Sequence, residues 1–200
     1  MRGGVRVFSY KGAPVFLHVS LLLVFFFYIA HQGVVDGIFA GLAFIVLMLV
    51  HEMGHAWFVR KFNHDLIDIR IYPIHGVCHY EHAEHRLPET LIIAGGLIAQ
   101  AILLVFWSAC MGLVLLLKLY SIHHMLQPVS NVFFAMNIIM LVLNSLPIPG
   151  LDGFELWQRF WGRLKTVLFR QQPGPDKKRQ SNLESSKKVV DLAIKRAQKK

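Results

Sequence analysis

His51-Glu52-Met53-Gly54-His55 places two imidazoles and a carboxylate within one short stretch. On a helix, residues i and i+4 share a face, so His51 and His55 can grip one metal ion. Glu52 then stands near the metal's open position, where it can take a proton from water. The motif lies inside a long apolar run. Ionisable side chains are expensive at membrane depth, so a functional site is the default reading. H-E-x-x-H arises by chance in about 2% of shuffled chains with this His and Glu content. The bland alternative is a polar cluster paired with neighbouring helices.

The elements that must carry these residues are apolar. The chain has 200 residues, 54% of them hydrophobic, and a mean hydropathy of +0.47. That exceeds an ordinary soluble domain of this size. Four runs, residues 15–30, 38–59, 91–117 and 129–146, each approach the ~20 residues that span a bilayer. The first run lacks a small-residue cleavage site and is followed at once by further spans, so it is not read as a removable signal. Cys78 and Cys110 form no C-x-x-C pair and are read as ordinary thiols.

A net charge of +9 invites a nucleic-acid reading, but its distribution argues otherwise. With the N-terminus inside, segments 1–14, 60–90 and 147–200 face one side. They hold every Lys and Arg except Lys118, which is the positive-inside pattern. Both termini are thus expected in the cytoplasm. The basic tail is expected to contact anionic lipid. No recognition-helix or interleaved aromatic pattern supports nucleic-acid binding.

A catalytic metal site needs three protein ligands and one open position. His51 lies ~20 Å and His55 ~26 Å along the second span from its outer end. His31, Asp36, His123 and His124 fall in the outer loops. The fourth span returns to the inner half, delivering Asp152 among Pro147, Pro149, Gly150 and Gly153. Broken backbone at depth is tolerated where it is packed or lines a wet cavity. Asp152 is therefore the candidate third ligand; the alternative is an N-cap on the following helix. Glu155 and His18 are spare candidates. Asn144 could donate to a substrate or an oxyanion, or simply satisfy the broken helix end.

Three domains are expected. Residues 1–14 form a strand and turn, with 5–8 alternating as a strand. Residues 15–170 form the membrane core. Within it a polar insertion, 61–88, carries an alternating run at 66–72, with Ile67, Ile69 and Ile71 on one side and Asp68 and Arg70 on the other. Residues 76–80 return as a second strand, giving a small hairpin or sheet at the inner face. His75, His79, His82 and His85 crowd this insertion; a second metal site or pH sensor competes with a solvated loop. A further helix at about 154–169 lies in the interface or makes a short last span. Residues 171–200 form a flexible basic tail. The fold class is thus an α-helical polytopic membrane protein with about four transmembrane helices, an interfacial or short fifth helix and a small sheet.

Two pieces together resemble the site-2 protease family of intramembrane metalloproteases: His51-Glu52-Met53-Gly54-His55, and residues 144–153, N-S-L-P-I-P-G-L-D-G, which match its N-x-x-P-x-P-x-x-D-G element. The resemblance covers about residues 5–155. Gly12-Ala13-Pro14-Val15, the strand ending in Gly76-Val77, and Ala94-Gly95 agree more weakly. Residues 95–99 lack the Pro and Asn common there, with Gln100 adjacent. The chain has no room for the PDZ or CBS domains of many relatives, which marks a minimal member. The resemblance implies one Zn²⁺ held by His51, His55 and Asp152, with Glu52 as base. The substrate would be a membrane protein's transmembrane helix, unwound and held as an added strand near Ile69, Ile71 and Gly76. The expected location is the plasma membrane of a prokaryote. The competing class is an inactive helix-binding relative or a zinc-handling membrane protein.

Overall fold

Lys11 and Gly12 take positive φ angles of 46° and 92°, the backbone twist that a two-residue hairpin turn requires. They join β1 (Gly4–Tyr10) to β2 (Ala13–His18) as an antiparallel pair. β2 then pairs in parallel with β3 (Leu66–Ile71), and β3 pairs antiparallel with β4 (Gly76–Tyr80). The sheet order is β1-β2-β3-β4. The computed structural model describes residues 3–81, 86–168, 183–184 and 186–187.

Two details depart from the sequence reading. Residues 15–18 belong to β2, not to the first apolar span, so the expected boundary at 14/15 falls inside a strand. Ala13 and Val15 are 2% and 0% exposed, and such alternation suits a strand with one face on a core. Ile67 does not share a face with Ile69 and Ile71. The register shifts between Leu66 and Asp68, and such a bulge reverses the alternation on its far side. Leu66, Ile69 and Ile71 are therefore buried, while Ile67 is 55% exposed.

The helices are α1 (Leu22–Gln32), α2 (Val34–Lys61), α3 (Arg86–Leu116), α4 (Tyr120–Met125), α5 (Gln127–Asn131), α6 (Asn137–Ser145) and α7 (Asp152–Leu168). A 3₁₀ turn, Val19–Leu21, leads into α1, and a π turn, Val132–Met136, joins α5 to α6. Val34–Lys61, Glu89–Leu116 and Gln127–Ser145 are long and apolar enough to cross a membrane. The remaining apolar segment, Val19–Gln32, is shorter, because the strand β2 has taken the start of that run. Outward-facing Phe26, Phe27, Ile102, Val105 and Phe106 are all more than half exposed. An apolar surface of this extent belongs against lipid.

α2 is the axis of the fold. Leu47, Met48, Ala56 and Val59 are at most 1% exposed and join Val15, Ile69 and Ile71 of the sheet in one cluster. Against α3 the contact is backbone to backbone. A Cβ on Gly54 would lie 2.2 Å from the Gly95 carbonyl oxygen, and one on Gly95 would lie 2.6 Å from that of Gly54. Helices meeting in lipid gain little from hydrophobicity and rely on such close approach. The chain divides into two compact units, Met1–Arg159 and Phe160–Lys200. In the second, residues 160–168 are helical. The expected tail, 171–200, lies outside the described residues apart from 183–184 and 186–187.

Within the sheet, Asp68 is 8% exposed. Arg70 donates to its Oδ2 from Nε at 3.1 Å and from the terminal nitrogen at 2.7 Å. His79 Nδ1 lies 2.5 Å from Oδ1. Burial alone would raise the Asp68 carboxyl; the hydrogen bonds from Arg70 and His79 outweigh it and hold it below the usual carboxylate range. A depressed folded-state pKa stabilises above the unfolded value of ~3.9 and is lost as pH falls through the folded value. Asp68→Asn is expected to lower the thermal midpoint at pH 7, with the deficit shrinking below about pH 4. Thermal melts across pH check this, and a deficit independent of pH would refute the charge assignment.

Candidate metal centre

α2 brings His51, Glu52 and His55 inward, with exposures of 5%, 3% and 7%. One helical turn separates the two imidazoles, so they share a face. Their rings stand edge to face at 84°, centroids 4.8 Å apart. After α6, Pro147 and Pro149 cannot continue a helix. Gly150 takes a φ of 91°, and the chain re-enters as α7 with Asp152 as its first residue. That turn aims the Asp152 carboxylate at the α2 imidazoles instead of leaving it on its own helix end.

Three atoms then form a nearly equilateral triangle. His51 Nε2 to Asp152 Oδ2 is 3.2 Å, His55 Nε2 to Asp152 Oδ2 is 3.3 Å, and the two Nε2 atoms are 3.2 Å apart. His55 Nδ1 lies 2.7 Å from the Ile92 carbonyl oxygen. A carbonyl only accepts, so Nδ1 carries the proton and a neutral His55 points a lone pair into the triangle. Asp152 Oδ2 is buried without a hydrogen-bond partner among the described residues. Lone pairs facing one another at this range repel unless a cation lies between them. Tetrahedral ligands bonded at 2.0–2.1 Å stand about 3.3–3.4 Å apart. The donor set therefore fits a small divalent ion with a fourth position open.

The surroundings are shaped to this point. A Cβ on Gly96 would lie 2.4 Å from His51 Cε1 and 2.4 Å from His55 Nε2; only glycine lets α3 lie against both rings. Glu52 Oε1 is 3.9 Å from His51 Nε2. On its other side the start of β4 touches it, for a Cβ on Gly76 would lie 2.1 Å from Glu52 Oε1. Burial, then Glu52 and Asp68, push the nearby Cys78 thiol far up.

A cavity of about 250 Å³ opens on the triangle, lined among others by Asn144, His75, Gly76 and Glu155. The structure thus gathers His51, Glu52, His55, Asp152, Asn144 and Gly76 around one space. Glu155 borders it too, but His18 lines a different cavity with Arg70 and Tyr72. Ile69 and Ile71 do not reach it. Both are fully buried in the sheet core, on a strand already paired along both edges. Of the histidine cluster, His75 lines the cavity and His79 serves Asp68; His82 and His85 lie outside the described residues. Sequence reasoning missed the Ile92 carbonyl and Gly96. The Gly95-Gly96 pair in an apolar helix was the available signal of close approach.

Two curated relatives are similar to this chain. One is a zinc metalloprotease of Methanocaldococcus jannaschii, 25% identical over 76% of this chain and 44% of its own. The other is stage IV sporulation protein FB of Bacillus subtilis, 32% identical over 81% of this chain and 51% of its own. The chain spans about half the length of these curated relatives. Among solved structures, the site-2 protease from Methanocaldococcus jannaschii shares the fold, with a TM-score of 0.55 and 19% identity over 96% of this chain and 84% of that one. No family model matches the chain.

Gly96→Ala is the sharpest test of the triangle's packing. The added methyl favours a helix, yet it must displace one or both rings. Overpacking of this kind costs ~1–3 kcal/mol, so divalent-metal affinity should fall about tenfold or more. Metal content after equilibrium dialysis reads this directly, and unchanged affinity would show that the rings are free to move aside.

Proposed function

We infer that this chain, which belongs to the site-2 protease family, is an intramembrane zinc metalloendopeptidase that hydrolyses peptide bonds in or near transmembrane segments. The observation that carries the reading is the 3.2–3.3 Å triangle of His51, His55 and Asp152 with Glu52 at its edge. In this reading those three residues hold one Zn²⁺. When bound, zinc lowers the pKa of a coordinated water toward ~7 and polarises a carbonyl.

The chain's own groups do the rest. Glu52 accepts a proton from the attacking water and returns it to the leaving amine. Its position suits this: the carboxylate is buried between His51 and the Gly76 backbone, away from competing bulk water. Asn144, on the cavity wall, offers an amide N–H to a substrate carbonyl or to the developing oxyanion. The substrate is a membrane-protein helix whose amides must first be freed from their own hydrogen bonds. β4 is an outer strand of the sheet among the described residues, and an unwound segment would add along its outer side as a further strand. Gly76, at its start, puts that segment beside Glu52. Ile69 and Ile71 support this edge from behind instead of touching substrate.

In this reading the sheet, the metal centre and both termini lie toward the cytoplasmic side of a prokaryotic plasma membrane, following the Lys and Arg distribution. In the same reading the membrane core begins after β2, and the basic tail, 171–200, rests on anionic lipid. Glu52→Gln is expected to keep zinc and to lower cleavage about 10²–10⁴-fold. Purified protein with a single-span substrate and a parallel zinc assay tests this; cleavage at the wild-type rate would remove Glu52 from the mechanism.

A further inference from the structure

Among the seven buried side-chain polar atoms with no hydrogen-bond partner among the described residues, four are His51 Nδ1, Gln100 Oε1, Gln100 Nε2 and Asn137 Oδ1, on α2, α3 and α6. Gln100 and Asn137 are both 0% exposed. Orphaned groups of this kind are rare and costly. Between helices in lipid, no bulk water relieves them.

Their chemistry is complementary. With its Nε2 turned to a metal ion, neutral His51 carries a proton on Nδ1 and is a donor. Gln100 offers one acceptor and a donor amide; Asn137 Oδ1 accepts. Two donor-to-acceptor links, His51 to Gln100 and Gln100 to Asn137, would use every one of the four atoms.

The placement allows it. Gln100 lies one helical turn beyond Gly96, on the same face of α3. The notch at Gly96 looks onto His51, for a Cβ there would lie 2.7 Å from His51 Nδ1. Helical side chains lean toward their helix N-terminus, so the Gln100 carboxamide leans back over that notch. Asn137 Nδ2 donates to the Gln100 carbonyl oxygen at 3.1 Å, which fixes its own Oδ1 beside Gln100. The π turn ends at Met136, so the register change of that helix falls just before the residue that must face inward. The antiparallel course of α2 and α3 supplies the precedent: His55 Nδ1 already donates to α3 at Ile92. Gln100 sits farther along α3 in the direction in which His51 sits back along α2.

We propose that Gln100, anchored by Asn137, is the positioning residue for His51, accepting its Nδ1 proton directly or through one bridging water and so aiming Nε2 at the metal. The inference rests on the zinc reading above. The pair of links is the polar counterpart of the Ile92 contact, one for each imidazole, both on α3.

The test is zinc affinity of the full-length protein in detergent, by competition with a chromogenic chelator. Loss of such an outer partner typically weakens binding about 10–100-fold. Gln100→Leu, close in volume, is expected to show that loss. Gln100→Glu, which keeps an acceptor oxygen, is expected to restore affinity to within a fewfold of the original. Cobalt-loaded protein gives a second readout that does not need the Leu variant to fold: a carboxylate behind His51 strengthens its donation and should shift the visible d–d bands of Gln100→Glu. If the unaltered protein binds no zinc, the metal reading itself fails. If it binds zinc while Gln100→Leu binds equally well, or the Gln100→Glu spectrum is unchanged, the role of Gln100 alone is overturned.

Discussion

Three Lewis-basic atoms meet within 3.3 Å of one another inside an apolar helix bundle. That convergence is the constraint from which the rest of the structure follows. In water such groups would turn apart and be solvated. In a low-dielectric interior, paired charges are tolerable only when geometry holds them together and something of opposite sign lies between. Holding them requires rigid supports on every side. α2 supplies two of the three from one turn. The proline-broken connection between α6 and α7 supplies the third. α3 closes the remaining side at the van der Waals limit through Gly96.

Two kinds of packing support that centre. The sheet is held by burial of Val15, Ile69 and Ile71 against the last turns of α2, where removal of apolar surface from water contributes ~1.5–3 kcal/mol per side chain. The α2–α3 contact lacks that drive wherever both helices face lipid. It depends on backbone proximity at Gly54 and Gly95 and on directed polar links such as His55 to Ile92. α2 therefore has two unlike sides. Its His51 and His55 side faces the cavity. Its Val50, Met53 and Trp57 side lines an apolar groove with α3.

How much of this could be read from the sequence depended on the range of the interaction. The His51–Glu52–His55 cluster is local, and helical periodicity alone puts it on one face. Asp152 is far away in sequence, yet the length of each span sets its depth, so its arrival near the imidazoles could be reasoned out. The boundaries of α2, α3 and the composite span Gln127–Ser145 followed from hydropathy within a few residues, but α6 alone begins only at Asn137, after α5 and the π turn. Failures came where two competing patterns overlapped. Residues 15–18 are as apolar as the helix after them, and pairing with β1 across the Lys11-Gly12 turn and with β3, some fifty residues away, makes them a strand. Ile67 was misplaced because a single-residue bulge leaves no mark on an alternating sequence. Ile69 and Ile71 looked like a substrate edge, but β3 is an interior strand, and strand order is invisible to local pattern.

The proposed hydrolysis would need water where the helices exclude it, and the position of the cavity answers that need. It opens between α2, β4 and the α6–α7 connection. Its walls carry His75, Asn144 and Glu155, none of which a lipid-facing surface would tolerate. The apolar groove on the opposite side of α2 shares none of these groups. A water molecule can therefore approach Glu52 from the sheet side, while the lipid side stays dry. In the proposed function the same asymmetry favours a peptide segment that enters along the outer edge of β4 and passes Gly76, where the absence of a side chain lets the backbone lie directly against Glu52.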